Sequence, residues 1–534
     1  ILYINRGGVF MRVYHNGQFI SCEDSNRCFS VLITDGDKII YTGDEIPDNY
    51  KECKKINMKG YCIVPAFSDT HIHFESYALF RTTADVRNAK DFDDMSRILN
   101  QYLEEHPKAT FFPAYGCSAH TVAEKRLPTK DDLDKMVSIP LLIVKYDGHA
   151  AVANSALIQA FPHDVTDDPG FDHKTGWLYQ NAFYKAVNFI TAKIAPLTLL
   201  KGMAEAADEL AGRGIGYIHS VEGIGYKNDI DVDTINMICD ALPQKFTIFF
   251  QTMDVGKVMK RKMKHIGGCF RLALDGCFGS EDAALKEGYT NDPDNKGFLA
   301  YSQEEVNNFC IRANRAGLQI AMHAIGDAAV DQALTAFEAA LTDVPRDDVH
   351  HILIHGDLMS DEAIARAARL GITIAVQPAF LDWPQEPGSY LHTILGDRAD
   401  QILPLRSMVD AGLLITSGSD GPCTIPCPIE RMHIACNHPN PSQALTPLEA
   451  LKSYTLWAAR SAGDDDLYGS LTPGKKANFV VLDRNILEIP KEEIHDLKIK
   501  GIFLEGERFH KGRTFHMDEF LLKVARSKLP FLKK

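Results

Sequence analysis

Two histidines separated by one residue, His71 and His73, stand at the end of the run Val64-Pro65-Ala66-Phe67-Ser68-Asp69-Thr70-His71-Ile72-His73-Phe74-Glu75. The run has strand character, and alternate side chains of an extended chain project to the same side. The pair can therefore grip one cation together, because imidazole is a good ligand for zinc and other first-row transition metals. Two ligands rarely make a site, and an isolated His-x-His is more often an ordinary strand end. A metal site requires further His, Asp, Glu or Cys at other strand ends.

The chain supplies them. Residues 318–323 form an apolar run that stops at His323, ahead of Gly326-Asp327. Residues 350–355 stop at His355, ahead of Gly356-Asp357, and residues 413–417 lead through Gly418-Ser419 to Asp420-Gly421-Pro422. Each group falls at the same end of its own strand. One terminal histidine says little; five such residues at corresponding ends make His71, His73, His323, His355 and Asp420 candidate metal ligands.

Positioning them takes a framework of repeated strands. Eight candidate strands, at 63–67, 214–219, 246–251, 270–274, 318–323, 350–355, 372–377 and 413–417, alternate with amphipathic stretches such as 199–212, 302–316, 328–341, 360–370 and 404–411. Strands separated by helices are the sign of βα units, and eight of them predict an α/β fold, the TIM (β/α)8 barrel, whose active sites gather where strands end. Residues 1–66 instead offer short β-rich pieces, beginning at 8–14, broken by Asn16-Gly17, Asp35-Gly36-Asp37 and Gly43-Asp44; residues 472–534 repeat the style before a tail. A small β-sandwich built from both termini, flanking a barrel over 67–471, is the expected organisation. The interval 80–212 is too long for one βα unit and carries strands of its own near 109–115 and 141–145, with helices at 91–105 and 178–190. It reads as an insertion after barrel strand one, placed over the barrel mouth, where insertions shape substrate access.

Composition narrows the function classes. A formal charge of −14 disfavours a nucleic-acid footprint or attraction to anionic membranes, both of which rely on clustered Lys and Arg. The basic stretch 523–534 is expected to be a solvated tail. No apolar run is long enough to span a bilayer. The twelve cysteines are scattered without a C-x-x-C pair, as expected of reduced thiols in a cytoplasmic protein. The expected partner is a small-molecule substrate, and a homo-oligomer is compatible with everything in the sequence.

At this point the chain resembles the amidohydrolase superfamily, in its family 3 branch of N-substituted formamide deformylases and related enzymes. The resembling pieces are Asp69-Thr70-His71-Ile72-His73, Asp147-Gly148-His149 with Asn154-Ser155, Leu274-Asp275-Gly276, His323-Ala324-Ile325-Gly326-Asp327-Ala328-Ala329, Ile354-His355, Gln377-Pro378, Ser419-Asp420-Gly421-Pro422 and Gly469-Ser470-Leu471-Thr472-Pro473-Gly474-Lys475-Lys476-Ala477-Asn478. They run in family order over almost the whole chain. The resemblance implies a metal-dependent hydrolase acting on carbon–nitrogen bonds other than peptide bonds; fold and family alone do not fix the substrate.

The chain departs from the branch at one place. Many members carry a lysine before the fourth-strand Asp-Gly that, once carboxylated, bridges two metals; here Arg271 occupies its apparent place in Phe270-Arg271-Leu272-Ala273-Leu274-Asp275-Gly276. A guanidinium, with a pKa above about 12, stays protonated and cannot take that role. One divalent ion is therefore expected, held by His71, His73, His323 and Asp420, with zinc the first choice and iron or manganese accepted by the same donors. Glu222, Lys145, Cys269 and Cys277 are read as packing or rim residues. Water activated by the metal attacks a carbonyl or amidine-like carbon, Asp420 moves the proton, and His355 is a further ligand or stabilises the oxyanion. His149, Glu222, Arg271 and Gln377 are candidate substrate-binding residues, with His219 near them. Asp275 and Asp327 either orient ligands or cap helices. Two other classes stay open: a mononuclear deaminase or cyclic amidohydrolase acting on a heterocycle, and a non-catalytic regulatory or binding homologue.

Overall fold

A computed structural model describes residues 11–224, 227–347 and 349–512, and residues 520, 524 and 525. The first three residues of the expected 8–14 strand, and all of the expected basic tail except Val524 and Ala525, lie outside the described residues.

Eight strands pair in chain order as one parallel sheet: β1 (Phe67–Ile72), β2 (Ile215–Glu222), β3 (Lys245–Phe250), β4 (His265–Ala273), β5 (Gln319–Ala324), β6 (Ile352–His355), β7 (Thr373–Val376) and β8 (Leu414–Ser417). The sheet is a nearly closed barrel, its seam bridged where Ile72 meets Gly421 just beyond β8. β1, β2, β5, β6 and β7 are buried along their whole length, so their sequences do not alternate between apolar and polar residues. Val221, Phe249, Ala321, Ile352, Ile354 and Ala375 meet in one small cluster, which Cys269 joins. Helices fill the crossovers with ordinary signals: Ser302 and Glu305 form a capping box for Gln303–Arg315, and Ser360 caps Asp361–Arg369.

Two strand boundaries differ from expectation in ways that bear on the site. The apolar run at 63–67 is shared between two sheets: Cys62–Pro65 pairs antiparallel with Phe479–Leu482, and β1 starts at Phe67. β4 begins at His265, five residues before the expected 270. Its start is masked in the sequence by Gly267-Gly268, which look like a turn. Both have left-handed φ, 107° and 152°, and a Cβ on Gly267 would stand 1.9 Å from the Ala321 carbonyl oxygen, so only glycine lets β4 lie this close to β5.

The two ends of the chain join in a single eight-stranded sheet, in which Met11–Ile20 pairs with Cys28–Asp35 and Cys62–Pro65 pairs with Phe479–Leu482. The sheet has its own apolar core, where the Tyr14 ring lies 5.1 Å from Phe479 and 5.4 Å from Phe503.

After β1 the chain forms a short helix, α1 (Phe74–Phe80), and then a separate five-stranded sheet ordered Trp177–Tyr179, Ala150–Ala153, Leu141–Lys145, Phe112–Cys117, Ala84–Asp85. Helix α2 (Gln180–Thr191) follows it. Two apolar clusters, one containing Leu99, Leu133 and Ile143 and the other Leu157, Phe183 and Leu178, give this segment a core separate from the barrel's. Among the described residues no helix is long and apolar enough to cross a membrane.

Candidate metal centre

Backbone bonds across the barrel seam place three of the candidate ligands. The Asp420 N–H donates to the His71 carbonyl at 2.7 Å and the His73 N–H to the Gly421 carbonyl at 2.9 Å. Buried Asp69 ties the same two segments, accepting from the N–H groups of Ser419 and His71 at 2.9 and 3.3 Å. Asp420 Oδ1 thereby lies 3.1 Å from His71 Nε2 and 3.3 Å from His73 Nε2.

The other side of the centre is held from β4 to β7. His355 Nδ1 donates to Gln377 Oε1 at 2.7 Å, and the Gln377 amide nitrogen donates to the Ala375 carbonyl at 2.9 Å, which fixes both the amide and the imidazole tautomer. His355 Nε2 is left to face Cys269 Sγ at 3.5 Å, and the same sulfur lies 3.1 Å from His71 Nε2. His323 directs Nε2 toward the Gly276 carbonyl at 3.1 Å and Asp275 Oδ1 at 3.4 Å, while its buried Nδ1 has no hydrogen-bond partner. Asp275 also accepts from the N–H groups of Ala284, Ile325 and Gly326, so it locks the turn after β5 as well as the ring. His355 and Asp420 both have left-handed φ, 72° and 55°. For non-glycine residues such conformations cost on the order of 1–3 kcal/mol each and are concentrated at functional sites.

Three groups of donors converge: His71, His73 and Cys269; Cys269, His323 and His355; and His71, His355 and Asp420. Within each group the donor atoms lie within 4.8 Å of one another. Burial holds His71 below its ordinary value despite Asp420. Burial and the neighbouring His323 hold His355 well below it. Both rings are then in the neutral, ligating form. Burial lowers His323, but the hydrogen bond and charge of Asp275 outweigh it and the net shift is upward. Burial acts to raise Asp420, yet hydrogen bonds and attraction from His71 and His73 carry it well below the carboxylate range. The Cys269 thiol is pushed well up by burial, then by the charge of Asp420 and the neighbouring Cys423. A thiolate at this point needs positive charge beside it, which a bound cation provides. Neutral imidazoles, a carboxylate, an orphaned ring nitrogen and a buried thiol together fit a divalent metal.

The donors open onto a cavity of about 40 Å³ whose wall includes His73, His149, Cys269, His323, His355 and Asp420. Asp147, Asp357 and Glu386 also face it; Asp147 stands in the Asp147-Gly148-His149 motif and Asp357 directly after His355-Gly356, but none of the three was a candidate site residue from the sequence. Of the expected substrate-binding residues His149 reaches this cavity: its ring lies 6.2 Å from that of His323, and burial lowers it to about 4. Gln377, fully buried, stands behind His355 and orients it. Arg271 is exposed, and its carbonyl accepts from the Tyr301 hydroxyl at 2.8 Å. This corrects its placement at the bridging position: with β4 starting at His265, the side chain in the centre is that of Cys269, two residues earlier. His219 is buried on β2 against Tyr217, at 4.9 Å between rings, and does not line the cavity. Asp327 begins the helix Asp327–Asp343 and accepts from the Lys286 N–H at 2.9 Å, away from the ligands that Asp275 supports.

Glu222 is likewise a supporting residue. Its carboxylate accepts from the N–H of Glu75 at 3.3 Å and from the Ser220 hydroxyl, bracing the start of α1 immediately after His73. Burial, then the nearby Asp231, push it up to about 8. The folded chain therefore keeps a proton that the unfolded chain releases near pH 4.3, and this contribution to stability falls as pH rises through the interval up to about 8. Relative to the native protein, Glu222→Gln is expected to gain stability across that window, by about 1 kcal/mol per pH unit at its steepest. Equilibrium denaturation at about pH 5 and about pH 8 measures it; an unchanged difference between the two proteins would show that the carboxyl holds no such proton.

Comparison with known proteins agrees with this arrangement. The sequence pattern of the amidohydrolase family matches residues 54–510. The chain is 26% identical to the protein YtcJ of Bacillus subtilis (strain 168) over 537 residues, covering 93% of this chain and 99% of that one. It is 24% identical over 543 residues to N-substituted formamide deformylase of Arthrobacter pascens, covering 92% and 96%. The crystal structure of an uncharacterized metal-dependent hydrolase from Pyrococcus horikoshii OT3 superposes with a TM-score of 0.73 at 22% identity, over 94% of this chain and 100% of that one, a likeness of fold.

Proposed function

We propose that this chain, which belongs to the amidohydrolase family, hydrolyses an amide-type carbon–nitrogen bond of a small molecule at a centre whose donors would hold two divalent cations, with Cys269 among the donors to both. The observation that carries the reading is the position of Cys269 Sγ, 3.1 Å from His71 Nε2 and 3.5 Å from His355 Nε2, with Asp420 on one side and His323 on the other. The expectation of one ion rested on Arg271 standing at the shared position; a thiol there supports two. His71, His73 and Asp420 would hold one cation and His323 and His355 the other. A donor set of imidazole, thiolate and carboxylate suits zinc, and the soft sulfur disfavours manganese.

Bound divalent cations would supply Lewis acidity toward the scissile carbonyl and bring the pKa of a water down to about 7. The protein's part is positional and protolytic. Asp420, ionised beside His71 and His73, accepts the proton of the attacking water and returns it to the leaving nitrogen. Neutral His149, which lines the same cavity, donates a hydrogen bond to the oxygen on which charge develops. Gln377 and Asp275 keep His355 and His323 from turning away. Linear amides are favoured over heterocycles because a mononuclear deaminase would leave the second donor set without a task. The similarity to the N-substituted formamide deformylase of Arthrobacter pascens makes N-substituted formamides the first substrates to try. The twelve cysteines, scattered along the chain without a C-x-x-C pair, are at home in a reducing compartment such as the cytoplasm.

Stripping the protein with a chelator is expected to abolish amine release from N-acylated amines, and adding back about two equivalents of zinc to restore it. Turnover that survives complete metal removal, or ammonia release from heterocycles with no amide cleavage, would overturn the reading.

A further inference from the structure

A second cavity of about 40 Å³ adjoins the metal centre and shares His73, Phe270 and Cys423 with the first. The segment between β1 and β2 builds most of it. Leu79 and Phe80 project from α1, Phe183, Tyr184 and Val187 from α2, and Tyr115 from the inserted sheet. The Phe270 ring stands between the two spaces, 4.9 Å from His73, 5.1 Å from His149 and 6.2 Å from Tyr184. Apart from His73 and Glu75, the wall is aromatic, aliphatic or weakly polar. Leu79, Phe80, Tyr184 and Val187 are each left only half-buried although they face this interior space. Packing that served stability alone would have closed over them, since interiors tolerate few voids.

We propose that this aromatic cavity is a substrate subsite, built by the insertion, that takes an aryl or branched-alkyl group carried on one side of the scissile carbon–nitrogen bond. The proposal rests on the hydrolytic reading of the adjoining centre. Burying such a group contributes about 25 cal/mol per Å² of apolar surface, and contact through Phe270 turns that binding energy into alignment of the scissile bond over the donors. The inserted sheet and α2 thus select the substrate, while the barrel performs the chemistry.

Matched amides test it: benzyl against methyl amides of one acid, and phenylacetyl against acetyl amides of one amine. Val187→Trp fills the cavity and is expected to lower the aromatic-to-methyl ratio of kcat/KM at least about tenfold in one of the two pairs. Leu79→Ala widens it and is expected to raise the ratio for naphthylmethyl over benzyl. Ratios unchanged in both variants, with thermal unfolding close to that of the native protein, would overturn the proposal. Native protein that cleaves none of the amides would overturn the hydrolytic reading instead. Benzyl alcohol, titrated calorimetrically into the full chain without substrate, separates the two: its affinity is expected to fall at least about tenfold in Val187→Trp. Equal affinity in variant and native protein counts against the subsite whatever the activity.

Discussion

Exchanging Cys269 for alanine is expected to lower kcat/KM at least about 100-fold and to cut bound metal from about two equivalents to about one, because supporting groups around a metal are already worth 10–100-fold and a shared donor is worth more. The sulfur belongs to two of the three donor groups, one with His71 and His73 and the other with His323 and His355, and it is the one cysteine within the eight barrel strands. Loss of fold would not imitate the result. Cys269 belongs to a small cluster with Val221, Phe249, Ala321 and Ile354, and removing one sulfur from it costs on the order of 1 kcal/mol, as for a small truncation in a core. Elemental analysis with steady-state kinetics makes the measurement, and Arg271→Ala is the contrast, since the exposed Arg271 side chain takes no part in the centre. A Cys269→Ala protein with its full complement of metal and nearly native kcat/KM would remove the shared-donor assignment.

The places where sequence and structure part company have a common physical origin. Six of the eight barrel strands are legible as largely apolar runs within about three residues, because strands buried on both faces need no polar alternation, whereas the run at 63–67 meets β1 only at Phe67 and β4 starts five residues before the expected 270. The five strand-end residues are legible because a barrel gathers strand ends around one mouth, and His71, His73, His323, His355 and Asp420 do lie together there. Cys269 is not legible in the same way. The pairing of β4 with β5 breaks between Gly268, opposite Met322, and Ala273, opposite His323, so a count back from Asp275-Gly276 along a regular strand does not find the side chain that faces the lumen. Arg271 then takes a place that belongs to Cys269. Glycine marks here a close approach of β4 to β5, a tertiary fact that local pattern does not carry. The supporting roles of Gln377 and Glu222 are hidden for a similar reason. A polar residue at the end of a barrel strand reads the same whether it faces substrate or braces a neighbouring ligand, and only the 2.7 Å contact to His355 Nδ1 and the contact to the α1 backbone distinguish them. Asp357 and Glu386 reach the cavity from loops that carry no periodic signal at all.

Asp420→Asn should separate metal binding from proton transfer. The amide keeps the shape and one oxygen donor of the carboxylate, so the oxygen that lies 3.1 Å from His71 Nε2 and 3.3 Å from His73 Nε2 has a substitute, and His71, His73, Cys269, His323 and His355 are untouched. The backbone gives no reason to fail either: φ at this position is 55°, and asparagine accepts the left-handed region as readily as aspartate, whereas alanine would add strain. What the variant loses is basicity. An amide cannot take a proton from water or hand one to a departing nitrogen, and general acid–base groups typically contribute about 10²–10⁴-fold. The expected result is a kcat lower by that factor, with metal content near native and KM changed far less. A loss of metal in proportion to the loss of turnover would make Asp420 a ligand only, and nearly native kcat would remove it from the proton path. Either outcome would leave His149, which lines the same cavity, as the next residue to bear the proton.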